Sequence, residues 1–507
     1  MNILLRVTLL LPLGAGVLAP AVPAQEELPP PRGPAEEVEY YAIRGIVIPP
    51  GIVLEGSSFL ETPDGALLIG TRRGEVWSLR GHDLDPPRPS YELLASGMHE
   101  IFGMALQGGE LYVTQQAEVT RLSDLDGDGR VDRYQTISDT WGWGGEHEFT
   151  YGSGFDADGY LWVALCLTGS YTSESPFRGW CLRVAPDGTT IPTCSGLRSP
   201  GGVGRNAAGD MFYTENQGPW NGACGLKHLR PGGFMGHPIG NRWYERAPHM
   251  GPRPAEPTGG RDGRLHLDAA RIPELVPTAV WFPYKKMGQS ASAIVLDHTQ
   301  GRFGPFAGQL FVADYTLSLV MRVQLEVVDG VYQGACFPFR EGFATGIIGA
   351  TLTDQGQLFV GGSNRGWPSR GRSAFALQRL EWTGETPFEV LGMSVRSDGF
   401  LLTFTLPVDP ETAGDPASYS LETYTYHYRA AYGSPEIDRA RPAILSATPA
   451  PDGLSVRLVV EDLRVGFVHE LSLPGVRAAD GKPVLHDVAY YTLNRIPAAS
   501  GGGDQED

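Results

Sequence analysis

Short bursts of alternating apolar residues recur along the chain, each introduced by a turn residue and a glycine. Pro63-Asp64-Gly65-Ala66-Leu67-Leu68-Ile69 is the first, and Ala157-Asp158-Gly159-Tyr160-Leu161-Trp162-Val163 shows the same phrase two copies later. The glycines fall at 65, 109, 159, 209, 308 and 356, so four of the five steps lie between 44 and 50 residues. Alternation marks half-buried strands, and Asp-Gly between two alternating runs marks a hairpin. A strand-turn-strand unit repeated at this period reads as a propeller blade, and six copies predict six blades in an all-β chain. The step from Gly209 to Gly308 is 99 residues. Its middle, about 231–275, is rich in Pro, Gly, His and Arg and poor in alternation. It reads as a long insertion rather than a seventh blade. Tyr40 to Val47 alternates ahead of the first blade and fits a strand that closes the ring against the last one, removing two exposed edges.

The propeller is expected over 39–383. After Trp382-Thr383-Gly384 the repeat stops, and shorter alternating runs surround Ser397-Asp398-Gly399 and Pro451-Asp452-Gly453. Short strands joined by Asp-Gly turns predict a β-sandwich over 384–497. Phe404-Thr405-Leu406-Pro407-Val408-Asp409-Pro410-Glu411-Thr412-Ala413 and Gly466-Phe467-Val468-His469-Glu470-Leu471 resemble bacterial Ig-like domains of the surface-layer type. The fold class is therefore all-β, a six-bladed β-propeller followed by an Ig-like β-sandwich. At the N-terminus, Arg6 precedes an apolar run from Val7 to Val22, too short and too broken by Gly and Pro for a bilayer span. Small residues at Val22-Pro23-Ala24 fit cleavage before Gln25, so 1–24 reads as a signal peptide and the protein as exported, periplasmic or extracellular. Residues 25–38 form a Pro/Glu-rich linker and 498–507 a disordered tail.

Charge narrows the partners. Forty basic residues against 58 acidic ones give a formal charge of −18, which argues against nucleic acid and anionic membrane surfaces. Five cysteines (Cys166, Cys181, Cys194, Cys224, Cys336) cannot all pair within one chain. Export permits a bridge such as Cys166 with Cys181 or Cys194 with Cys224, but buried small apolar residues are the preferred reading. Cys-x-x-Cys-His is absent, so no covalent haem is expected. No Gly-x-Ser-x-Gly elbow or metalloprotease helix is present.

Two stretches carry candidate chemistry. Asp124-Leu125-Asp126-Gly127-Asp128-Gly129-Arg130-Val131-Asp132 places carboxylates at positions one, three, five and nine and Gly at six, as in an EF-hand-type Ca2+ loop. Arg130 would supply only its carbonyl, and Gln135 stands where the bidentate Glu belongs. The alternative is a polar turn that the aspartates favour for geometric reasons. The loop lies between the expected third and fourth strands of blade two, on the face opposite a propeller's usual pocket, so the ion would be structural. The pocket face carries the links between blades and the turns between second and third strands. Those positions include Glu55, Arg72, Glu100, His147, Arg198, Gln217, Lys286 and Arg365, a polar set suited to a small-molecule or carbohydrate ligand, or simply to water.

Leu197-Arg198-Ser199-Pro200-Gly201-Gly202, followed by Met211-Phe212-Tyr213-Thr214-Glu215-Asn216-Gln217-Gly218-Pro219, resembles the soluble quinoprotein glucose and sorbosone dehydrogenases. His147 with Gly152 to Val163 resembles their catalytic-histidine strand. The resemblance implies pyrroloquinoline quinone (PQQ) as cofactor, Arg198 as a quinone contact and Gln217 in a segment that helps to hold calcium. It also implies His147 as the base that takes a sugar hydroxyl proton while hydride leaves for the quinone. Arg72 and Lys286 are the further candidate anion clamps. The pattern departs from the family after Pro219, where Trp220-Asn221-Gly222-Ala223 offers no acidic ligand, and at Ala344 to Gly349, where the family's arginines are missing. The Asp-rich loop, His147-Glu148-Phe149 and Asn364-Arg365-Gly366-Trp367 are similar to planctomycete-type membrane-bound-dehydrogenase-like propeller proteins. Two functions follow: a PQQ-dependent sugar dehydrogenase-like protein that binds and oxidises a carbohydrate, or a non-catalytic propeller that binds a glycan or protein and uses the sandwich as a spacer.

Overall fold

The computed structural model describes residues 33–498, so the expected signal peptide, the linker up to residue 32 and the tail from 499 lie outside the described residues. Six four-stranded antiparallel units succeed one another at 56–95, 101–138, 150–195, 200–282, 291–341 and, with one strand borrowed from the N-terminus, 347–382. The borrowed strand is Tyr41–Gly45, which pairs with Phe375–Trp382 so that Tyr41 lies opposite Trp382. Neighbouring innermost strands pack on one another around the ring. This is an all-β propeller, and its strand order follows the repeat.

The repeated glycine has one physical cause. Gly65, Gly109, Gly159, Gly209, Gly308 and Gly356 all adopt φ between 79° and 90°, a region closed to most side chains but open to glycine. At Gly65, Gly109, Gly209 and Gly308 an added Cβ would meet nothing within 4 Å, so conformation rather than crowding selects the residue. Each innermost strand also carries a one-residue register shift against the second strand, at Gly56/Ser58, Ile101/Gly103, Gly152/Phe155, Pro200/Gly202, Ala291/Ile294 and Ile347/Gly349. Such bulges bend a strand and increase its twist, which suits six sheets splayed about an axis. Buried side chains in the bulges join blades: Ser57 donates to the Ile101 carbonyl at 2.6 Å and Ser292 to that of Ile347 at 2.8 Å.

Residues 229–279 separate the third strand of blade four, Cys224–His228, from its fourth, Val280–Phe282. This insertion holds a 3-10 helix at Pro238–Arg246 and an α-helix at Leu265–Arg271. It climbs the outer edge of blade three, where Met235 donates to Ser195 and His237 to Gly196. There Trp243 and Tyr244 join the core of Trp141, Phe177 and Trp180, and the Trp180 and Trp243 indoles donate to Gly240 O and Ser173 Oγ, both at 2.7 Å. All five cysteines are free and buried. Cys181 and Cys194 face each other across two strands without a bond.

Two further sheets follow the propeller and share an apolar core that includes Met393, Phe400, Leu402, Val456, Leu458, Leu471 and Tyr491. One sheet, with Val390–Arg396, Gly399–Phe404, Ser455–Val460 and Ile444–Pro449, stands alone. The other is continuous with blade five. Its strand Val488–Leu493 pairs with Val331–Glu341, placing Ala335 opposite Tyr491 and giving an eight-stranded sheet. Ala335 and Phe337 of blade five consequently sit in the sandwich core. No helix among the described residues is long and apolar enough to cross a membrane.

Candidate functional site

The innermost strands enclose a channel of about 770 Å3 whose mouth, beside Glu61, Thr62, His298 and Asp354, lies on the face of the first-to-second-strand turns. The opposite face is closed at its centre by ion pairs that join three blades. Arg72 meets Glu100 at 2.8 Å, and Arg365 meets Glu55 at 3.1 Å and Glu100 at 3.0 Å. Each arginine also donates to the other's carbonyl, Arg72 to Arg365 at 2.8 Å and Arg365 to Arg72 at 2.9 Å. Two cations and two carboxylates therefore neutralise one another. Beneath them Phe102 packs on Phe149 and Tyr151.

His147 projects from the link between blades two and three. It has φ of 57°, unusual for a residue with a Cβ, and its exposed ring stands edge-on to Phe149 at 5.8 Å. The next residue explains the turn. Glu148 is fully buried, ion-paired with buried Arg178 at 3.5 Å, and it accepts from Gly144 N at 2.8 Å, from Ser175 and from Thr168. Arg178 in turn donates to Gln116 O at 2.9 Å and Gly142 O at 2.7 Å, fastening the link to blade two. Burial lowers the Arg178 guanidinium to about 10, against the opposing pull of Glu148, so Arg178 keeps its charge at neutral pH. The buried neighbour holds the backbone, and His147 is turned outward.

Arg198 lies at the entry to blade four. Its Nη1 donates to Gln217 O at 2.9 Å and Asn216 O at 3.4 Å, while buried Nε has no acceptor among the described residues. Below it Glu215 accepts from the Arg198 and Ser199 amides at 2.9 and 2.7 Å. Burial lowers the nearby Lys227 ammonium to about 8 against the opposing pull of Glu215, and it donates to Met235 O at 2.8 Å. The Gln217 side chain turns away from the open face to Gly222 O at 3.0 Å. Lys286 is further removed, tied to Glu436 at 2.9 Å and Glu470 at 2.7 Å of the C-terminal sandwich. The structure thus brings Arg72 and His147 to the face, with Phe149 between them. Arg198 lies further out on it, and Lys286 is diverted to the sandwich.

Four exposed aromatic rings stand on this face: Trp143 at 52% exposure, Tyr171 at 55%, Trp367 at 61% and Tyr432 at 59%. Trp143 meets the His99 ring edge-on at 5.6 Å. Tyr432 comes from the sandwich, on a loop bound to blade four through Trp220 N to Arg429 O at 2.7 Å and Gly433 N to Gly218 O at 3.1 Å. The tyrosines that precede it in sequence, Tyr419, Tyr424, Tyr426 and Tyr428, are buried and serve packing. Trp143 and Tyr171 were not among the sequence candidates. The available signal was an aromatic inside a Gly-rich loop, as in Trp141-Gly142-Trp143-Gly144-Gly145.

On the opposite side, Asp124, Asp126 and Asp128 each present an oxygen within 4.8 Å of the others, between the third and fourth strands of blade two. Asp124 folds the loop by accepting from Gly127 N at 2.8 Å and Gly129 N at 2.9 Å. Asp132 accepts from Leu125 N at 2.8 Å, and Gln135 is engaged with Arg121 at 2.6 Å on the neighbouring strand. Three exposed carboxylates converging in this way suit a hard cation, with Gln135 outside the set.

A quinone bearing three carboxylates needs converging cations without acidic partners. Arg72 is neutralised by Glu100 and Lys286 by Glu436 and Glu470, leaving Arg198 as the one proposed clamp without a carboxylate. As arranged, these residues do not form the clamp that such a cofactor requires.

Among solved structures the chain is similar to an oxidoreductase of Thermus thermophilus described as a glucose dehydrogenase, at 18% identity and TM-score 0.48, covering 67% of this chain and 99% of that one. It is similar to the PQQ-bound aldose sugar dehydrogenase of Streptomyces coelicolor, at 16% identity and TM-score 0.44, covering 69% and 100%. It is also similar to the pyranose dehydrogenase PQQ domain of Coprinopsis cinerea, at 12% identity and TM-score 0.48, covering 70% and 98%. No curated protein matches the chain. Residues 61–336, more than half of the 507, match the family described as a domain of unknown function, DUF7133, and the chain belongs to that family.

Proposed function

We propose that the protein is an exported propeller that binds a carbohydrate on the face carrying His147, Arg198 and the Arg72–Glu100–Arg365 pairs. The four exposed rings Trp143, Tyr171, Trp367 and Tyr432 carry this reading. Exposed aromatic faces beside polar groups suit a ligand with an apolar ring face and a hydroxylated rim, and four of them gathered on one face mark an interaction surface. The test is calorimetric titration with a panel of neutral and acidic oligosaccharides against the Trp143→Ala and Trp367→Ala variants. Binding that weakens about tenfold in either variant supports the reading, on the scale typical of interface aromatics. Absence of binding across the panel removes it.

A second reading, oxidation of the bound sugar, rests on His147, which is exposed and has no hydrogen-bond partner among the described residues. A neutral imidazole there is suited to accept a hydroxyl proton. Because the residues present do not form a quinone clamp, a dye-linked assay on aldoses with and without added quinone and calcium decides between binding and oxidation, and no dye reduction in either condition leaves binding alone. The Asp124–Asp132 loop, in both readings, holds calcium as a structural ion.

A further inference from the structure

Arg198 lies between two exposed rings that come from different domains. Its guanidinium carbon is 6.0 Å from the centre of Tyr171, in blade three, and 5.3 Å from that of Tyr432, in the sandwich. Both are within reach of cation–π attraction. Tyr432 is delivered by a loop that continues across blade four through Ser434 N to Gly222 O at 3.0 Å, and Gly433 lies against the Gln217 side chain. The tyrosine is thereby fixed in place although its ring is exposed.

The charge at this point differs from that at the centre of the face. Arg72 and Arg365 are offset by Glu55 and Glu100. Arg198 is held by backbone carbonyls, and no carboxylate lies within ion-pair distance of its side chain among the described residues. Glu215 beneath it is engaged by the Arg198 and Ser199 amides and by the Tyr213 hydroxyl, with the buried Lys227 ammonium as a further cationic neighbour. At 5% exposure Arg198 is shielded from counterions, so its field reaches the ring surfaces with little screening. In a chain of formal charge −18 this is a local positive spot flanked by two aromatic platforms.

We infer that Tyr171, Arg198 and Tyr432 form an acid-selective sugar subsite, completed by the C-terminal sandwich, that takes a uronic acid residue of the glycan. The rings accept the pyranose faces and Arg198 favours the carboxylate. This inference rests on the proposed carbohydrate-binding face and adds its substrate class. The sandwich is, in consequence, part of the binding site.

The test is titration of the full chain with an oligouronate and with the neutral oligosaccharide of the same backbone, at low and high salt, for the unaltered protein, Tyr432→Ala and Tyr432→Phe. The expected result is tighter binding of the oligouronate by about tenfold, largely kept at high salt because the buried guanidinium is little screened. Tyr432→Ala should weaken oligouronate binding by a similar factor, and Tyr432→Phe should retain it because the ring persists. Tyr432 is exposed, and matching thermal melts will show that Tyr432→Ala keeps the fold. Equal affinity for acidic and neutral ligands, or an unchanged preference in Tyr432→Ala, overturns the subsite while leaving the carbohydrate-binding face standing. No binding of either ligand overturns both.

Discussion

Single residues set the geometry of the ligand face, and the most consequential of them never touches it. Glu148 is wholly buried beside Arg178, and together they fix the turn that presents His147. Removing one member of a buried pair leaves an uncompensated charge. Glu148→Ala is therefore expected to lower stability by about 3–5 kcal/mol, read by chemical denaturation, and to release the link around His147. The motif His147-Glu148-Phe149 was visible in the sequence, but which of its two titratable residues faces outward was not. That depends on Arg178, thirty residues away and without a motif of its own. Lys286 shows the same limit. It lies in a link where a propeller presents ligand contacts, yet it is claimed by Glu436 and Glu470, about 150 and 180 residues further along the chain.

Among elements, the turns were the most legible because their cause is local. A glycine forced to φ near 80° leaves the same mark in all six copies, and alternation of apolar residues fixes the strands on either side. The Asp124–Asp132 loop was legible for the same reason, since the hydrogen bonds that fold it about Asp124 and Asp132 stay within the loop. If it binds calcium, added calcium should raise the melting temperature and a chelator should reverse the gain. Asp126→Asn should abolish the response. An unchanged melt on chelation would mark the loop as a polar turn. The path of the 229–279 insertion could not be read, because it is set by Trp243 and Tyr244 finding the core around Trp180.

At the scale of the molecule, three distant parts of the chain meet at His486. Its Nδ1 lies 2.5 Å from Glu389, in the connection to the sandwich, and its Nε2 lies 3.0 Å from Glu37, just ahead of the closing strand. Glu37 is also paired with Arg340 of blade five at 2.8 Å. Burial alone would lower the His486 imidazole, but the two carboxylates outweigh it and raise the group to about 9. A pKa raised by folding contributes stability in full below the unfolded value near 6.5 and loses it as pH rises through the folded value. Thermal melts should accordingly fall as pH passes from neutral through about 9. His486→Gln should flatten that dependence and lower stability at neutral pH by removing the cation from Glu389, while Glu37 keeps Arg340.

The closing strand and the shared sheet also bear on the order in which the protein can be assembled. Tyr41 waits for Trp382, and the edge of blade five waits for residues 488–493. As the chain emerges from the ribosome, its first strand has no partner until three quarters of the sequence has been made, and blade five keeps an open edge until nearly all of it has. Pairings of such sequence separation form slowly, and open edges recruit foreign strands in the interval. If an exported chain, as proposed for this one, crosses before it folds, the delay is an advantage, because neither the ring nor its appended sandwich is complete until residues 488–493 arrive.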